Sequence, residues 1–464
     1  MTAFAAGAAA PPSARPAGAT PGSWLAVADA GRAASTGVGV RAGVRPVRVL
    51  QVMIAGLVLT NLGRAPILFH GPEWPVLVND LLVWTALAVC AAACLQARRL
   101  RVDPLVAVAG VFACIGTGSA VWAAQKYALS TYELLASLTY LVRWLAFFGL
   151  YVAVTNVARD GDADALWGSL QRTALRFAAF GLFQVAAFSH FAQQIYPAGP
   201  ENMGWDDQGR RLVSTMLDPN FAGIFMLLPL LVYLAQLAYG ERMPLWKPLL
   251  LLAGVFLTVS RGTILGLVVG LGIVVAVCGV GRRLAKAAGV GLLLAAPALP
   301  FFVQFAAGFN KFKIDDSALA RVEAWLHALT VIRDNPVFGI GFNTYLYVQR
   351  AYGWLHEGRA PAGLDGGLLF ITVLTGLAGL LTYVVLLALA VRRCRRLWRD
   401  AAAPPRARGF ALGTGAGMVV LVLHSITVNS LLMSFIMEVQ WLMVAIVAVY
   451  ARAARRGAAP ALGA

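Results

Sequence analysis

Charged residues are scarce in this chain of 464 residues: Asp, Glu, Lys and Arg make up 13% of it, whereas 59% is hydrophobic. A soluble domain of this size does not need so much apolar surface, so the composition predicts an all-α polytopic membrane protein. Acidic residues are rarer than basic ones, with 21 Asp and Glu against 38 Lys and Arg, and the formal net charge is +17. The basic residues cluster in short loops between apolar runs, as the positive-inside rule requires, so we expect no nucleic-acid partner.

Cysteine is also scarce, with five residues in the chain. No two of them have the spacing of a metal site, and their pattern is not that of an extracellular disulfide framework. Two acidic pairs, Asp206-Asp207 and Asp315-Asp316, have the carboxylates that hard cations prefer, but no third ligand stands at an informative spacing. We therefore expect no metal site and no cofactor.

Apolar runs of about 17–25 residues, the length of a helix that crosses a bilayer, predict about 12 transmembrane helices. The runs lie at roughly 48–69, 75–96, 102–124, 133–157, 168–190, 219–239, 245–260, 263–281, 287–308, 365–391, 409–428 and 431–451. Residues 1–45 are rich in Ala, Gly, Pro and Ser and predict a disordered tail. The first apolar run begins too late for an ordinary secretory signal, so we expect no cleavage.

The loops between these runs differ in charge, which predicts the orientation of the chain. Lys and Arg cluster in alternate loops, at 98–101, 282–286 and 392–408, and again in the tail 452–464. That face should be cytoplasmic, together with both termini. The spans then divide into nine within 46–308 and three within 365–451, and the opposite face carries two long segments, 191–218 and 309–364.

The larger of these segments, 309–364, is too long for an idle connector. Residues 318–334 have apolar side chains at helical spacing, which predicts an amphipathic helix lying over the membrane. Asn335-Pro336 should end it, because the residue before proline is pushed out of helical geometry. The glycines at 339 and 341 then indicate a tight turn.

Arg261 is the most informative single residue, because it stands between apolar runs at 248–259 and 263–280 with no acidic neighbour in the sequence. An ionised side chain in such a place costs several kcal/mol unless it lies at an interface or meets an anion. Arg210, Arg211 and Arg321 are predicted on the same face. Arginine suits phosphate because its planar fork donates two parallel hydrogen bonds, so these residues together would fit a pyrophosphate. Arg210 and Arg211 could equally be solvated interface anchors.

Carboxylates and a histidine on this face are the candidate bases. Asp218 precedes Pro219 and is predicted as the N-cap of the next helix, whose N-terminus would also favour an anion. Asp365 stands before the tenth span and is either an N-cap or a general base beside glycines that let a substrate approach. His356 is the rival base.

Four segments in order resemble the signatures of the O-antigen ligase and polymerase superfamily. They are 215–220, 260–262, 321–325 together with 335–345, and 365–368 continuing through 375–379. The resemblance covers about residues 200–390. It adds Asn220 in the first segment and Tyr345 in the third to the candidate site residues.

The resemblance implies a bacterial inner-membrane glycosyltransferase with a GT-C-like helical fold and a periplasmic active site. Its donor would be an undecaprenyl-diphosphate-linked glycan, with Arg261 and Arg321, and more loosely Arg210 or Arg211, holding the diphosphate. The acceptor would be lipid A–core in a ligase and another lipid-linked glycan in a polymerase. The residues themselves fit this chemistry, since arginines can stabilise a diphosphate leaving group without metal. One attack from the opposite face would invert the anomeric centre.

The segment before the tenth span separates the two branches. Ligases of this superfamily typically have a His-Asn pair where this chain has Asp365-Gly366. We therefore favour a polymerase, while His356, nine residues earlier, keeps the ligase alternative open. A transporter or flippase of an anionic or lipid-linked solute is the alternative from another class. Transporters favour internal repeats and broken helices, whereas polar residues here gather at one surface.

Overall fold

The computed structural model describes residues 45–63, 77–98, 100–188, 190–195, 210–279, 316–354 and 363–458, with side chains at 322–354 and 363–456 in the last two ranges. The helices are α1 (Pro46–Gly56), α2 (Val78–Ala97), α3 (Pro104–Lys126), α4 (Thr131–Val157), α5 (Asp162–Ala187), α6 (Pro219–Ala238), α7 (Trp246–Leu257), α8 (Arg261–Cys278), α9 (Asp316–Asp334), α10 (Tyr345–Ala351), α11 (Gly367–Arg399), α12 (Pro405–His424) and α13 (Ser434–Ala458). Short helical turns lie at Thr60–Gly63, Phe191–Ile195 and Ser214–Met216.

Within the described ranges, eight helices are long and apolar enough to cross a membrane: α2, α3, α4, α6, α8, α11, α12 and α13. This finding confirms the predicted all-α polytopic membrane protein. Helices α1 and α7 are apolar but shorter. The predicted run 168–190 falls largely on α5, which is not among the eight, and the predicted run 287–308 lies outside the described residues. The total of about 12 spans stays a prediction.

Helix α12 packs directly on the backbone of α6, because its glycines leave no side chain between the two. A Cβ added at Gly409 would lie 2.6 Å from Cα of Gln236, and one at Gly417 would lie 2.9 Å from the side chain of Leu228. Together with Gly413, these glycines stand four positions apart along α12, a spacing of small residues that allows this close approach between membrane helices. Residue numbers fall along α6 as they rise along α12, so the helices are antiparallel. The start of α6 therefore lies beside the end of α12.

Acidic and basic side chains form ion pairs at the other end of the bundle, where α6 ends and α12 begins. The ion pairs are Asp103–Arg393 at 2.7 Å, Asp164–Arg406 at 2.6 Å and Asp160–Arg452 at 2.8 Å. The hydrogen bond from Arg452 lowers the pKa of Asp160, which lies outside the spans. We call this region the arginine end, defined by residues 100–104, 157–164, 392–408 and 450–456. Its predicted cytoplasmic position stays a prediction.

Helix α11 is interrupted at Gly376, after its first nine residues, and a loop fills the gap. Gly376 has φ 64° and ψ −169°, which no helix contains and which essentially only glycine adopts. The N–H groups of Leu377 and Ala378 bond to the carbonyls of Pro336 and Val337, at 2.9 and 3.1 Å.

The same loop also donates hydrogen bonds to the two carbonyl groups that lose their helical partners at the interruption. The N–H of Ile340 bonds to Val373 O at 3.0 Å, and that of Gly341 bonds to Leu374 O at 2.8 Å. Two helical bonds, from 377 to 373 and from 378 to 374, are thus replaced by four bonds to residues 336–341. Broken helices are tolerated at membrane depth only where protein or water satisfies the backbone in this way.

We expect Gly376→Ala to destabilise the protein by at least about 2 kcal/mol, because a left-handed backbone is unfavourable for alanine and its Cβ would meet the carbonyl of Val337. Thermal unfolding in detergent, with size-exclusion chromatography, measures the effect. Gly272→Ala is the matched control, since Gly272 lies on α8 with no atom within 4 Å of an added Cβ. Equal melting temperatures for the two variants would contradict the interlocked geometry.

Candidate active site

The predicted motifs meet at the end of the bundle opposite the arginine end. Three helices begin there: α6 after Asp218, α8 after Ser260 and α11 after Gly366. The turn at 425–433, between α12 and α13, lies among them. We call this region the motif end, defined by residues 210–220, 258–263, 363–367 and 424–433.

The first motif is tied down by side chains before it reaches α6. Thr215 donates to Val58 O at 2.6 Å, Ser214 donates to Phe177 O at 2.8 Å, and Asn61 donates to Met216 O at 2.7 Å. These bonds hold the short turn Ser214–Met216 against α5 and the end of α1. The position of the next residues, including Asp218, is thereby fixed.

Asp218 is the N-cap of α6, as predicted from Pro219. Its Oδ1 accepts hydrogen bonds from the backbone N–H groups of Asn220 at 2.7 Å and Phe221 at 3.0 Å. Burial raises the pKa of Asp218, and the negative charge of Asp365 adds to the rise, while these hydrogen bonds and Arg211 act against it. Asp218 and Asp365 are therefore in electrostatic contact, although 147 residues separate them in the sequence.

A chain of hydrogen bonds links the first and second motifs to the end of α12. Ser260 caps α8 by accepting from Thr263 N–H, and its Oγ donates to Asn220 Oδ1 at 2.9 Å. Thr263 Oγ1 lies 3.3 Å from Nε2 of His424, whose Nδ1 lies 2.6 Å from Ser430 Oγ. Asn220 thus serves to hold the start of α8 in place. All of these side chains are buried or half-buried.

Arg261 is the first residue of α8, and its side chain is exposed. The residue two positions before it, Val259, has φ 48°, which is an outlier for a β-branched residue. Strain of this kind is found at functional sites. The N–H groups at a helix N-terminus carry partial positive charge, so the Arg261 guanidinium and the start of α8 favour the same anion.

Arg211 has a different environment from Arg261. It is buried, and its Nε donates to Thr258 O at 2.8 Å, just past the end of α7. A cation at a helix C-terminus is stabilised by the carbonyls there. Arg211 therefore fixes the backbone that leads into Ser260 and Arg261, while the neighbouring Arg210 is exposed.

The alternative interpretation of Asp365 as an N-cap is wrong. The N-cap of α11 is Gly366, with φ 110°, and no side chain caps this helix. The carbonyl of Asp365 instead accepts a hydrogen bond from Nε1 of Trp325 at 2.9 Å. The half-buried carboxylate of Asp365 is thus not needed to start the helix. Its role as a general base stays a prediction.

The turn at 425–433 brings the second and fourth motifs together. Asn429 donates to Leu364 O at 2.5 Å, and Gly367 N–H bonds to Val428 O at 3.3 Å. On its other side, a Cβ added at Gly262 would lie 3.2 Å from the ring of His424. Arg261 and Asp365 therefore flank the same turn, although each motif alone gives no hint of this.

The predicted amphipathic helix is present as α9, and Asn335 follows its end as expected. Ala328 and Val331 pack with Ile340 and Tyr345, a cluster that holds α9 against α10 and α11. Tyr345 is 4% exposed, and burial raises its pKa to about 12, so this candidate residue belongs to the packed cluster. The opposite side of α9 exposes Val322, Leu326 and Leu329.

Two candidates are not fully placed. Arg321 lies on α9, four residues before Trp325, but its side chain is not among those described. His356 lies outside the described residues, and so do Asp206, Asp207 and Asp315. Where side chains are described, no group of three or more His, Cys, Asp or Glu residues lies close enough to hold a metal ion.

Comparison with known families supports the motifs. Residues 249–384 match the family model described as O-antigen ligase. This match supports the resemblance of the chain to the O-antigen ligase and polymerase superfamily. The matched segment contains Arg261, the interruption at Gly376 and Asp365, whereas Asp218 and Arg211 precede it. No curated protein matches the chain.

Sequence reasoning missed several residues that shape this site. His424, Ser430, Asn429 and Thr258 stand in apolar or irregular stretches without a motif, so their spacing gave no signal. His424 was detectable in principle, because a histidine in a membrane helix needs a hydrogen-bond partner.

Proposed function

We propose that this protein transfers a glycan from an undecaprenyl-diphosphate donor to an acceptor hydroxyl at the motif end. The observation that carries the proposal is the position of Arg261, exposed at the N-terminus of α8 beside a turn whose other side holds Asp365. The family match at residues 249–384 supports a lipid-linked glycan as substrate and a bacterial inner-membrane location. With the predicted orientation, the motif end faces the periplasm.

The proposed reaction needs two functions from the protein. The bond between the anomeric carbon and the phosphate oxygen breaks, and the diphosphate leaves with both electrons of that bond. Arg261 and the start of α8 would stabilise its negative charge. Arg210, next to Arg211, and Arg321, four residues before Trp325, would add further positive charge. Asp365 would accept the proton of the attacking hydroxyl, whose oxygen forms the new bond with inversion.

Of the two branches, we propose the polymerase, which extends O-antigen or a related polysaccharide by one lipid-linked repeat unit. Support comes from Asp365-Gly366, which stands where ligases typically have a His-Asn pair, and the carboxylate of Asp365 does not cap α11. The ligase alternative transfers the glycan to lipid A–core and would use His356 as the base.

The interruption of α11 at Gly376 is the feature that a transporter would share, because transporters bind substrates at broken helices. Here, however, residues 336–341 occupy the break and satisfy its backbone groups. The enzyme proposal is therefore better supported than the transporter or flippase alternative.

The deciding experiment is reconstitution of the purified protein with a defined undecaprenyl-diphosphate glycan and a second copy of it as acceptor. We expect release of undecaprenyl diphosphate together with doubled and longer glycans on the lipid. Transfer only when lipid A–core is added would favour the ligase. Movement of the donor across vesicles without any release of diphosphate would favour the flippase and refute the proposal.

In the same assay, we expect the rate to be unchanged in EDTA. The physical reason is that arginine guanidinium groups can supply the positive charge that the leaving diphosphate needs. Turnover is compared with and without chelator and after addition of magnesium or manganese. A loss in EDTA that either metal restores would contradict the prediction and direct attention to Asp206-Asp207 and Asp315-Asp316.

A further inference from the structure

A groove of about 340 Å³ lies between α1 and the first half of α5, on the side of the bundle that leads to the arginine end. Its cationic lining residues are Arg48, Arg172 and Arg176, and the polar groups between them include Gln51, Ser169 and Thr173. On each helix these residues recur at intervals of three and four, so each helix turns one face to the groove. The proposed transfer reaction uses none of them.

The two walls of the groove are fixed to one another. Thr173 donates to Ile54 O at 2.9 Å, and Gln51 donates to Ala165 O at 3.4 Å. Ser169 accepts a hydrogen bond from Nη2 of Arg172 at 3.0 Å, which holds that guanidinium at the groove. The site is therefore built by the packing of α1 on α5.

The three guanidinium groups bring three positive charges with no carboxylate among the residues that line the groove. Among the described residues, the ion pairs of arginine involve other positions, as at Arg393, Arg406 and Arg452 of the arginine end. Arg172 and Arg176 follow the start of α5 by 10 and 14 residues, which is about 15 and 21 Å along the helix. Although α5 is not among the eight apolar helices, it packs against α1, α7 and α13, so cations this far along it favour an anionic partner.

The surroundings of the groove indicate that this anion belongs to a lipid. On the α1 wall, Val52 is 61% exposed and Ala55 is exposed too, so apolar surface adjoins the guanidinium groups. An acyl chain would cover this surface, whereas a free phosphate would leave it bare. Basic pockets between membrane helices are known to suit headgroups with more than one phosphate.

We propose that this groove binds the headgroup of an anionic phospholipid with two phosphates, with Arg48, Arg172 and Arg176 as its ligands. The planar forks of three arginines match the oxygen atoms of two phosphates, and the positive charge on the protein exceeds what one phosphate neutralises. A cardiolipin-type lipid has this chemistry. In the predicted orientation of the chain, it would come from the cytoplasmic leaflet.

The test measures thermal unfolding of the purified full chain in detergent with added cardiolipin, phosphatidylcholine or sodium pyrophosphate. We expect cardiolipin to raise the melting temperature, and Arg172→Gln with Arg176→Gln to increase the half-effective lipid concentration by roughly tenfold or more. Arg395→Gln with Arg396→Gln is the matched control, since both are exposed arginines of the arginine end outside the groove, and it should respond like the wild type.

Three results would overturn the proposal. The groove variant could respond to cardiolipin as the control does, phosphatidylcholine could stabilise the wild type equally, or pyrophosphate alone could give the full shift, which would identify a free diphosphate ligand. If the double variant does not fold, Arg48→Gln, at an exposed position in the first turn of α1, replaces it in the same titration. Phosphorus analysis of the purified protein gives an independent count, expected to fall in the groove variant and not in the control.

Discussion

Replacement of Arg261 by alanine should reduce glycan transfer by about 100- to 1,000-fold while leaving the fold intact. The side chain is exposed at the start of α8, and the hydrogen bonds that hold this helix start come from Ser260, Asn220 and Thr263. Its loss therefore removes positive charge from the site without removing the cap. The measurement is the release of undecaprenyl diphosphate from a defined donor, with melting temperature as the check on folding.

Two further variants separate the charge of Arg261 from its shape. Arg261→Lys should recover only part of the activity, because an ammonium group is a point charge and cannot donate the paired hydrogen bonds of a guanidinium fork. Arg395→Ala, which removes an exposed arginine at the arginine end, should keep full activity. Full activity of Arg261→Ala in the reconstituted assay would refute the diphosphate role, and equal activity of the lysine variant and wild type would refute the need for a fork.

The sequence was most informative where the free-energy cost of a residue depends only on its immediate neighbours in the chain. An arginine between two apolar runs needs an anion or an interface whatever the rest of the fold does, so Arg261 was predictable as a site residue. Asp218 before a proline and an apolar run was likewise predictable as an N-cap, since capping depends on the next three residues alone. The helix at Asp316–Asp334 followed from its spacing and from Asn335-Pro336.

Contacts between distant segments could not be predicted in this way. The glycines at 339 and 341 indicated a turn, and Gly376 belonged to a motif, but nothing local shows that the turn fills the break in α11. Arg211 has the same local features as Arg210, yet only Arg211 caps α7. Arg143 pairs at 2.7 Å with Asp80, 63 residues earlier. Each of these depends on which helices pack together, and a glycine that allows close packing does not indicate which helix is its partner.

Asp365→Asn should reduce turnover by about 100-fold, if Asp365 accepts the proton of the acceptor hydroxyl. The amide is nearly the same size as the carboxylate but is not a base. Structural effects should be small, because Gly366 is the N-cap of α11 and Trp325 binds the backbone carbonyl of residue 365, which the substitution keeps. The rate is measured under saturating donor and acceptor, and thermal unfolding should show a melting temperature near that of the wild type.

The rival bases give this prediction its controls. His356→Ala should cost far less than Asp365→Asn, and Asp218→Asn should preserve the cap of α6, since asparagine caps about as well as aspartate. The Asp218 carboxylate accepts two backbone hydrogen bonds as the cap of α6, so we expect Asp218→Asn to keep both the helix start and most of the turnover. Normal turnover of Asp365→Asn with an inactive His356→Ala would instead identify the ligase-type base. In that case the preference for a polymerase loses its main support, and lipid A–core becomes the acceptor to test.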